Sequence, residues 1–439
     1  MKKYDSYKDS GVSWIGKIPD HWDQCRLKSY NSLKGRIGWN GLRSDEFLTE
    51  GYAYLVTGQD FSGRDIQWDK CYQIERQRYE EDPFIWLSNG DLLITKDGTI
   101  GKIATVRGLD KPACLNSGIF VMKQTADKYD QGYLFWLLSS DLLKEFNNYT
   151  SSGTTILHLY QNVFENMPML IPPKDEQKAI ATYLDHKCAA IDRTISTQEK
   201  KIRLLEKLKI NVISSATFQG LYSAELKATG IAWMPLIPKH WKLEKISRVF
   251  NYAQIGSGTT PKSSVSDYYD ENGYNWLQTG DLNDGIIIRT SKKVSSTAIK
   301  DYNLKFYPKQ SIVIAMYGAT IGKVGILGIE TSTNQACCVL PPSKKCLSKF
   351  AFYYFIAAKP SLLIEASGGG QPNISQDVIR QHRIALPPID EQQAIVHYLD
   401  NECAPIDAAI EKAHELVKQL KNYKQSLITE VVTGERKVC

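Results

Sequence analysis

Four blocks of residues occur twice in this chain, in one order and at nearly one spacing, so whatever it folds into must be built twice. Trp14, Pro19, His21 and Trp22 return 219 residues later as Trp233, Pro238, His240 and Trp241. Thr57-Gly58 returns as Thr279-Gly280, and Gly98-Thr99-Ile100-Gly101-Lys102 returns with one residue inserted as Gly318-Ala319-Thr320-Ile321-Gly322-Lys323. Pro172-Pro173-Lys174-Asp175-Glu176-Gln177 and Tyr183-Leu184-Asp185 return 215 residues later as Pro387-Pro388-Ile389-Asp390-Glu391-Gln392 and Tyr398-Leu399-Asp400. Each copy holds a long stretch of mixed character followed by a shorter helical one. The boundaries fall at 1–172, 173–220, 221–387 and 388–439.

The mixed stretches read as α+β. Runs such as Asp91 to Thr95, Ile103 to Val106, Ser311 to Met316 and Lys323 to Leu327 are β-rich and lie between turn residues. These stretches differ more between the copies than the helical ones do, as two surfaces of one kind tuned to different targets would.

The helical stretches begin after Pro-Pro with acid in the first turn, where the helix dipole favours it. Pro405 predicts a break near Cys188 and Cys403. Beyond it apolar residues fall at Ile191, Ile195, Ile202, Leu205 and Val212, and at Ile406, Ile410, Ala413, Val417, Leu420, Leu427 and Val431. Steps of four and three make this a heptad seam, interrupted at Gln198 and at the matched Lys209 and Lys424. Gly220 and Gly434 end the two helices. Two seams of equal length and register fit one antiparallel two-helix coiled coil better than separate docking of each helix on its own domain. In that arrangement each mixed stretch begins and ends at one pole, and the two are related by a pseudo-twofold axis. A separation of about 40 Å follows from roughly 28 helical residues, close to the turn of about 34 Å at which two readers enter successive DNA major grooves.

Composition permits this without demanding it. The chain has 439 residues, 42% hydrophobic, and carries 54 Lys and Arg against 48 Asp and Glu, a basic tilt that allows a nucleic-acid partner. Its nine Cys show no Cys-x-x-Cys pair and no zinc spacing, which reads as idle thiols in a reducing compartment and no metal site. No stretch approaches the roughly 18 apolar residues of a membrane span, and no apolar leader follows Met1, so a cytoplasmic protein is expected.

Gly318 to Lys323 falls short of a phosphate loop, with three residues between its glycines and Val324 after the Lys. A tight strand-to-strand turn is expected instead, with Lys96, Lys102 and Lys323 as candidates for a DNA phosphate. His21 and His240 read as packing on their Trp neighbours, with the Trp motif against the end of the helical rod. The loops Lys34-Gly35-Arg36-Ile37-Gly38 and Gly256-Ser257-Gly258-Thr259-Thr260-Pro261-Lys262 lie at matching places. Lys34, Arg36, Thr259, Thr260 and Lys262 suit DNA contact, and an ordinary solvated hairpin is the alternative. The chain shows no Asn-Pro-Pro-Tyr or Asp-Pro-Pro-Tyr run for a flipped adenine, no S-adenosylmethionine glycine motif and no acidic nuclease constellation.

The doubled, ordered set of Trp14 to Trp22, the Gly98 to Lys102 block, the Pro-Pro-x-x-Glu-Gln helix starts and the alternation of domain and helix resembles the specificity subunit of type I restriction-modification enzymes. The resemblance covers almost the whole chain. It implies two tandem target-recognition domains, each reading one half of a bipartite, asymmetric double-stranded DNA site, and helices that set the spacing. It implies docking of two methyltransferase subunits and joining of two motor and nuclease subunits. Adenine N6 methylation, S-adenosylmethionine, ATP and Mg2+ belong to those partners, and this chain holds no cofactor. The first copy departs at Thr57-Gly58-Gln59-Asp60 and Ser152-Gly153-Thr154-Thr155, where the second has Thr279-Gly280-Asp281 and Ser367-Gly368-Gly369-Gly370-Gln371. The rival readings are a stand-alone DNA-binding or DNA-modifying protein and a coiled-coil scaffold.

Overall fold

The computed structural model describes residues 2–36, 41–150, 158–366 and 373–438. It divides into two compact units, one of Met1–Glu199 with Glu415–Cys439 and one of Lys200–His414. Each unit takes its sheets from one copy and its helical pair from both long helices, Lys174–Gln219 and Ile389–Val432.

In the first unit a four-stranded antiparallel sheet runs in the order Ile103–Thr105, Leu92–Thr95, Ile119–Gln124, Asn31–Gly35. Strands Leu92–Thr95 and Ile103–Thr105 and the run Ile119 to Met122 are buried without alternation because both faces are covered, while the edge strand Asn31–Gly35 alternates. Leu92, Ile94, Phe120 and Met122 join the core shared with helix Gln131–Ser139, while Leu93, Val121 and Ala104 join a second core. That second core is completed by Ala113–Leu115, Ala53–Val56 and Tyr72–Ile74, the first two paired in parallel. Successive side chains leave a strand on opposite faces, so one strand serves two cores.

The second unit repeats the plan. Its five strands run Gly256–Ser257, Cys337–Leu340, Ile312–Ala315, Val324–Leu327, Gly285–Ile287. Ile312, Ile314, Cys338 and Leu340 enter the core under helix Ser348–Ile364, and Val313, Ala315, Cys337 and Val339 enter the other. The Gly-rich block is the turn that joins Leu92–Thr95 to Ile103–Thr105 in the first unit and Ile312–Ala315 to Val324–Leu327 in the second. Gly98 and Gly101, like Gly318 and Gly322, hold φ between 67 and 83°, a region other residues rarely adopt.

Pro405 does not stop its helix, and no break occurs at Cys188 or Cys403. Both lie inside continuous helices of 46 and 44 residues. Proline removes one backbone donor and crowds the carbonyl four residues back, a cost of about 3 kcal/mol. The exposed position of Asn401 leaves that carbonyl to water, and fully buried Ile395 and Leu399 with nearly buried Cys403 and Ala413 hold the helix on both sides. Each helix ends at a glycine with φ of 78°, Gly220 and Gly434.

Candidate nucleic-acid interface and its mounting on the helices

The repeated blocks are the joints between each globular part and the helices. Trp22 is fully buried and donates its indole N–H to Glu176 Oε1 at 3.2 Å, while His21 Nε2 lies 2.8 Å from Glu176 Oε2. Trp241 donates to Glu391 at 3.0 Å, with His240 Nε2 2.9 Å from the second oxygen. Each carboxylate sits in the first turn of a long helix and accepts from a motif about 150 residues earlier. The adjacent glutamines are fully buried and matched in every bond. Gln177 donates to Lys128 O and Pro172 O and accepts from Asp130 N; Gln392 donates to Lys345 O and Pro387 O and accepts from Leu347 N. About two helical turns on, Asp185 takes Arg64 and Trp136, and Asp400 takes Lys349 and Tyr353. The other end of each Trp meets a helix C-terminus: a Cβ on Gly434 would lie 3.2 Å from Trp22, and one on Gly220 3.2 Å from Trp241.

Glu391→Ala would leave a buried indole N–H without an acceptor, a loss of about 1–3 kcal/mol. Urea unfolding of Glu391→Ala and Glu176→Ala should show drops of that size, with Glu→Gln restoring most of it. Equal drops for Ala and Gln would place the cost elsewhere.

The seam positions are drawn in to different depths. Ile191, Ile195, Ile202, Val417 and Leu427 are buried; Leu205, Val212, Ile406, Ile410 and Leu420 are half-buried. In the first unit Ile191 and Ile195 share a core with Val417 and Leu427. Lys209 and Lys424, which interrupt the heptads, are ion-paired across the helices. Lys424 Nζ lies 2.7 Å from Asp192 in the first unit, and Lys209 Nζ 2.6 Å from Asp407 in the second. Both pairs set an antiparallel register. The match of Asp192 with Asp407 at the same 215-residue offset is the signal that sequence reading missed.

Among the candidate DNA contacts, Arg36 requires correction. It is 2% exposed, and its Nε donates to the Leu115 carbonyl at 2.9 Å with Nη2 3.4 Å from Cys114 Sγ. A guanidinium so placed is a core strut and does not face a phosphate. Strand pairing aligns Gly35 with Ser257, so Arg36 corresponds to Gly258. There a Cβ would lie 1.6 Å from the Thr333 carbonyl. The same slot is filled by a guanidinium in one copy and by bare backbone in the other. Lys34 is exposed with Nζ 5.7 Å from the Phe84 ring, Lys102 is exposed, and Lys96 and Lys323 are half-buried. Thr259, Thr260 and Lys262 are exposed. Ile37 and Gly38, and the runs Ser152 to Thr155 and Ser367 to Gln371, lie outside the described residues.

The eight described cysteines are unpaired, and seven are buried. Burial pushes the thiols of Cys114 and Cys188 up to about 11 and that of Cys338 to about 12, so they stay protonated near neutral pH. No helix among the described residues is long and apolar enough to cross a membrane.

His382 is buried face to face with Trp233, ring centres 5.0 Å apart, and burial lowers its pKa to about 4. The folded state therefore keeps it neutral where the unfolded chain takes up a proton. Stability falls as pH drops from about 6.5 to about 4, by about 2 kcal/mol at pH 5. The matching position in the first copy is fully buried Met167. His382→Met should narrow the gap between the melting temperatures at pH 7.5 and pH 5; an unchanged gap would exonerate His382.

A family model for the type I restriction modification DNA specificity domain matches twice, at residues 45–225 and 238–419. The specificity subunit of type I restriction enzyme MjaVIII from Methanocaldococcus jannaschii is 26% identical over 437 residues, covering 96% of this chain and 94% of its own. The specificity subunit of EcoBI from Escherichia coli is 24% identical, covering 80% and 74%. A solved chain from work on complex assembly and conformational transition of the type I R-M system shares the fold, with TM-score 0.70 at 18% identity over 94% of this chain and 98% of that one. With both copies matched, the chain belongs to the type I restriction-modification DNA specificity family and carries two of its recognition domains.

Proposed function

We propose that this chain selects the DNA sequence on which a type I restriction-modification complex acts, and supplies no chemistry of its own. Residues 1–172 and 221–387 each read one half of a bipartite, asymmetric site; the helical segments 173–220 and 388–439 hold the two readers apart and dock two methyltransferase subunits. S-adenosylmethionine, ATP and Mg2+ serve those subunits and two motor and nuclease subunits, in the cytoplasm. The observation that carries this reading is the contrast between joint and loop. The Trp-Glu and Gln joints make matching bonds in both copies, whereas the slot of Arg36 and Gly258 beside the outer loops is filled in two unrelated ways. Selection that freezes the mounting and lets the support beneath the outer loops vary is what two readers of different half-sites require.

The test is genetic. Deleting this chain in cells that keep the methyltransferase should abolish one bipartite adenine-methylation motif, and the purified lone chain should show no methyl transfer, ATP hydrolysis or DNA cleavage. An unchanged methylation map, or catalysis by the lone chain that a point change in it removes, would sink the proposal.

A further inference from the structure

The two domains differ in charge far more than in fold. Residues 221–387 hold 19 Lys and Arg against 11 Asp and Glu; residues 1–172 hold 20 against 22. Ion pairing takes up cations in both domains, with Lys239 on Glu225, Lys349 on Asp400 and Arg380 on Asp377 in the second. In the first domain Arg64 pairs with Asp185, Arg76 with Glu80, Arg78 with Glu46 and Glu81, and Arg107 with Asp65, while Arg36 is buried. In the second, Lys262, Arg289, Lys292, Lys305 and Lys309 are in no ion pair among the described residues and are exposed.

Three of these lysines gather around one loop, 257–262, which aromatic side chains grip from below. Tyr307 donates its hydroxyl to Ser257 O at 3.3 Å, Trp276 its indole N–H to Thr259 O at 3.1 Å, and Tyr269 its hydroxyl to Pro261 O at 2.8 Å. Tyr302 accepts from Lys262 N at 3.2 Å, and Gln376 donates to Ser257 Oγ at 2.7 Å. With three of its carbonyls bonded to these rings, the loop leaves Thr259, Thr260 and Lys262 exposed. The same rings carry the other two cations. Lys292 Nζ lies 5.6 Å from the Tyr269 ring and Lys305 Nζ 5.1 Å from the Tyr307 ring, and Lys305 also reaches Gln254 O at 3.4 Å. Ammonium groups held on aromatic faces beside a pinned loop of hydroxyls form a site pre-shaped for phosphate oxygens.

We propose that the second domain supplies most of the backbone attraction to duplex DNA, through Lys262, Lys292 and Lys305 around loop 257–262, and that the first domain engages its half-site with little net electrostatic contribution. This rests on the reading of both domains as DNA binders. Encounter then begins at the second domain, and the first tests its half-site afterwards, by shape and base contact.

The experiment is salt-dependent binding of the full chain to a fluorescent duplex of arbitrary sequence, followed by anisotropy. Neutralising three phosphate contacts should reduce the slope of log affinity against log salt by about 2.7. Lys262→Gln with Lys292→Gln and Lys305→Gln should show that loss, and the Lys→Arg triple should keep the wild-type slope. Lys34→Gln with Lys96→Gln and Lys102→Gln should change it by less than about 0.9, one contact's worth. Equal slopes lost by both Gln triples, or none lost by the first, would overturn the asymmetry. A wild-type chain with no salt-dependent binding to duplex DNA would instead overturn the reading on which it rests.

Discussion

Exchanging residues 222–385 for the corresponding segment of a relative is expected to replace one half of the recognised site outright and leave the other half letter for letter unchanged. The expectation follows from how the segment is mounted. It enters after the first long helix has ended at Gln219 and leaves before the second begins at Ile389. Its cores close within the second unit, where Trp241, Ile312, Phe350 and Ile384 pack together. What crosses from segment to helix is the apolar contact of Ile213, Ala216, Ile395, Leu399 and Cys403 and a short set of bonds: Trp241 and His240 to Glu391, Lys345 and Leu347 to Gln392, Lys349 and Tyr353 to Asp400. A donor segment that keeps these side chains keeps its seat, and the incoming loops bring new base contacts. A segment lacking the Trp or the Tyr should fail by misfolding, visible as lost complex. Methylation mapped across the genome of cells making the hybrid reads the result. Simultaneous change in both half-sites would mean that the domains do not read independently.

Much of this mounting was legible in the sequence, because duplication preserves what both copies need. The Trp motif, the Glu-Gln pair and the Tyr-Leu-Asp block recur, and each proves to be a contact between globular part and helix. Their partners were not legible. Asp175 and Glu176 read as helix-dipole residues, whereas Glu176 is the acceptor for Trp22, a contact bridging 154 positions that no local pattern encodes. Pro405 read as a stop because propensity knows nothing of the buried residues on either side of it. Arg36 read as a surface cation beside flexible glycines. Burial alternates from Asn31 through Leu33, but Arg36, past the end of the strand, is buried with its guanidinium on the Leu115 carbonyl, 79 residues away. The aromatic grip on loop 257–262 was equally hidden, its donors lying up to 50 residues from their acceptors.

The other large effect is on spacing. The helices pair antiparallel in each unit, with Lys424 on Asp192 in one and Lys209 on Asp407 in the other. Inserting seven residues after Lys200 and seven after Glu415 lengthens both helices by about 10 Å. Seven is the number that keeps the apolar seam on one face, with a drift of about 20°. Both ion pairs survive, since each lies on one side of the insertions. At about 3.4 Å per base pair the added length matches roughly three base pairs, so the methylated motif should keep both half-sites and gain about three unread positions between them. Three base pairs also turn the duplex by about 100°, far more than the helices turn, so the new site should be modified more slowly than the original. An insertion in one helix alone gives no longer rod; it throws the seam out of register and should abolish modification. If the doubly extended protein still methylated the original motif at its original spacing, the helices would not be what holds the two readers apart.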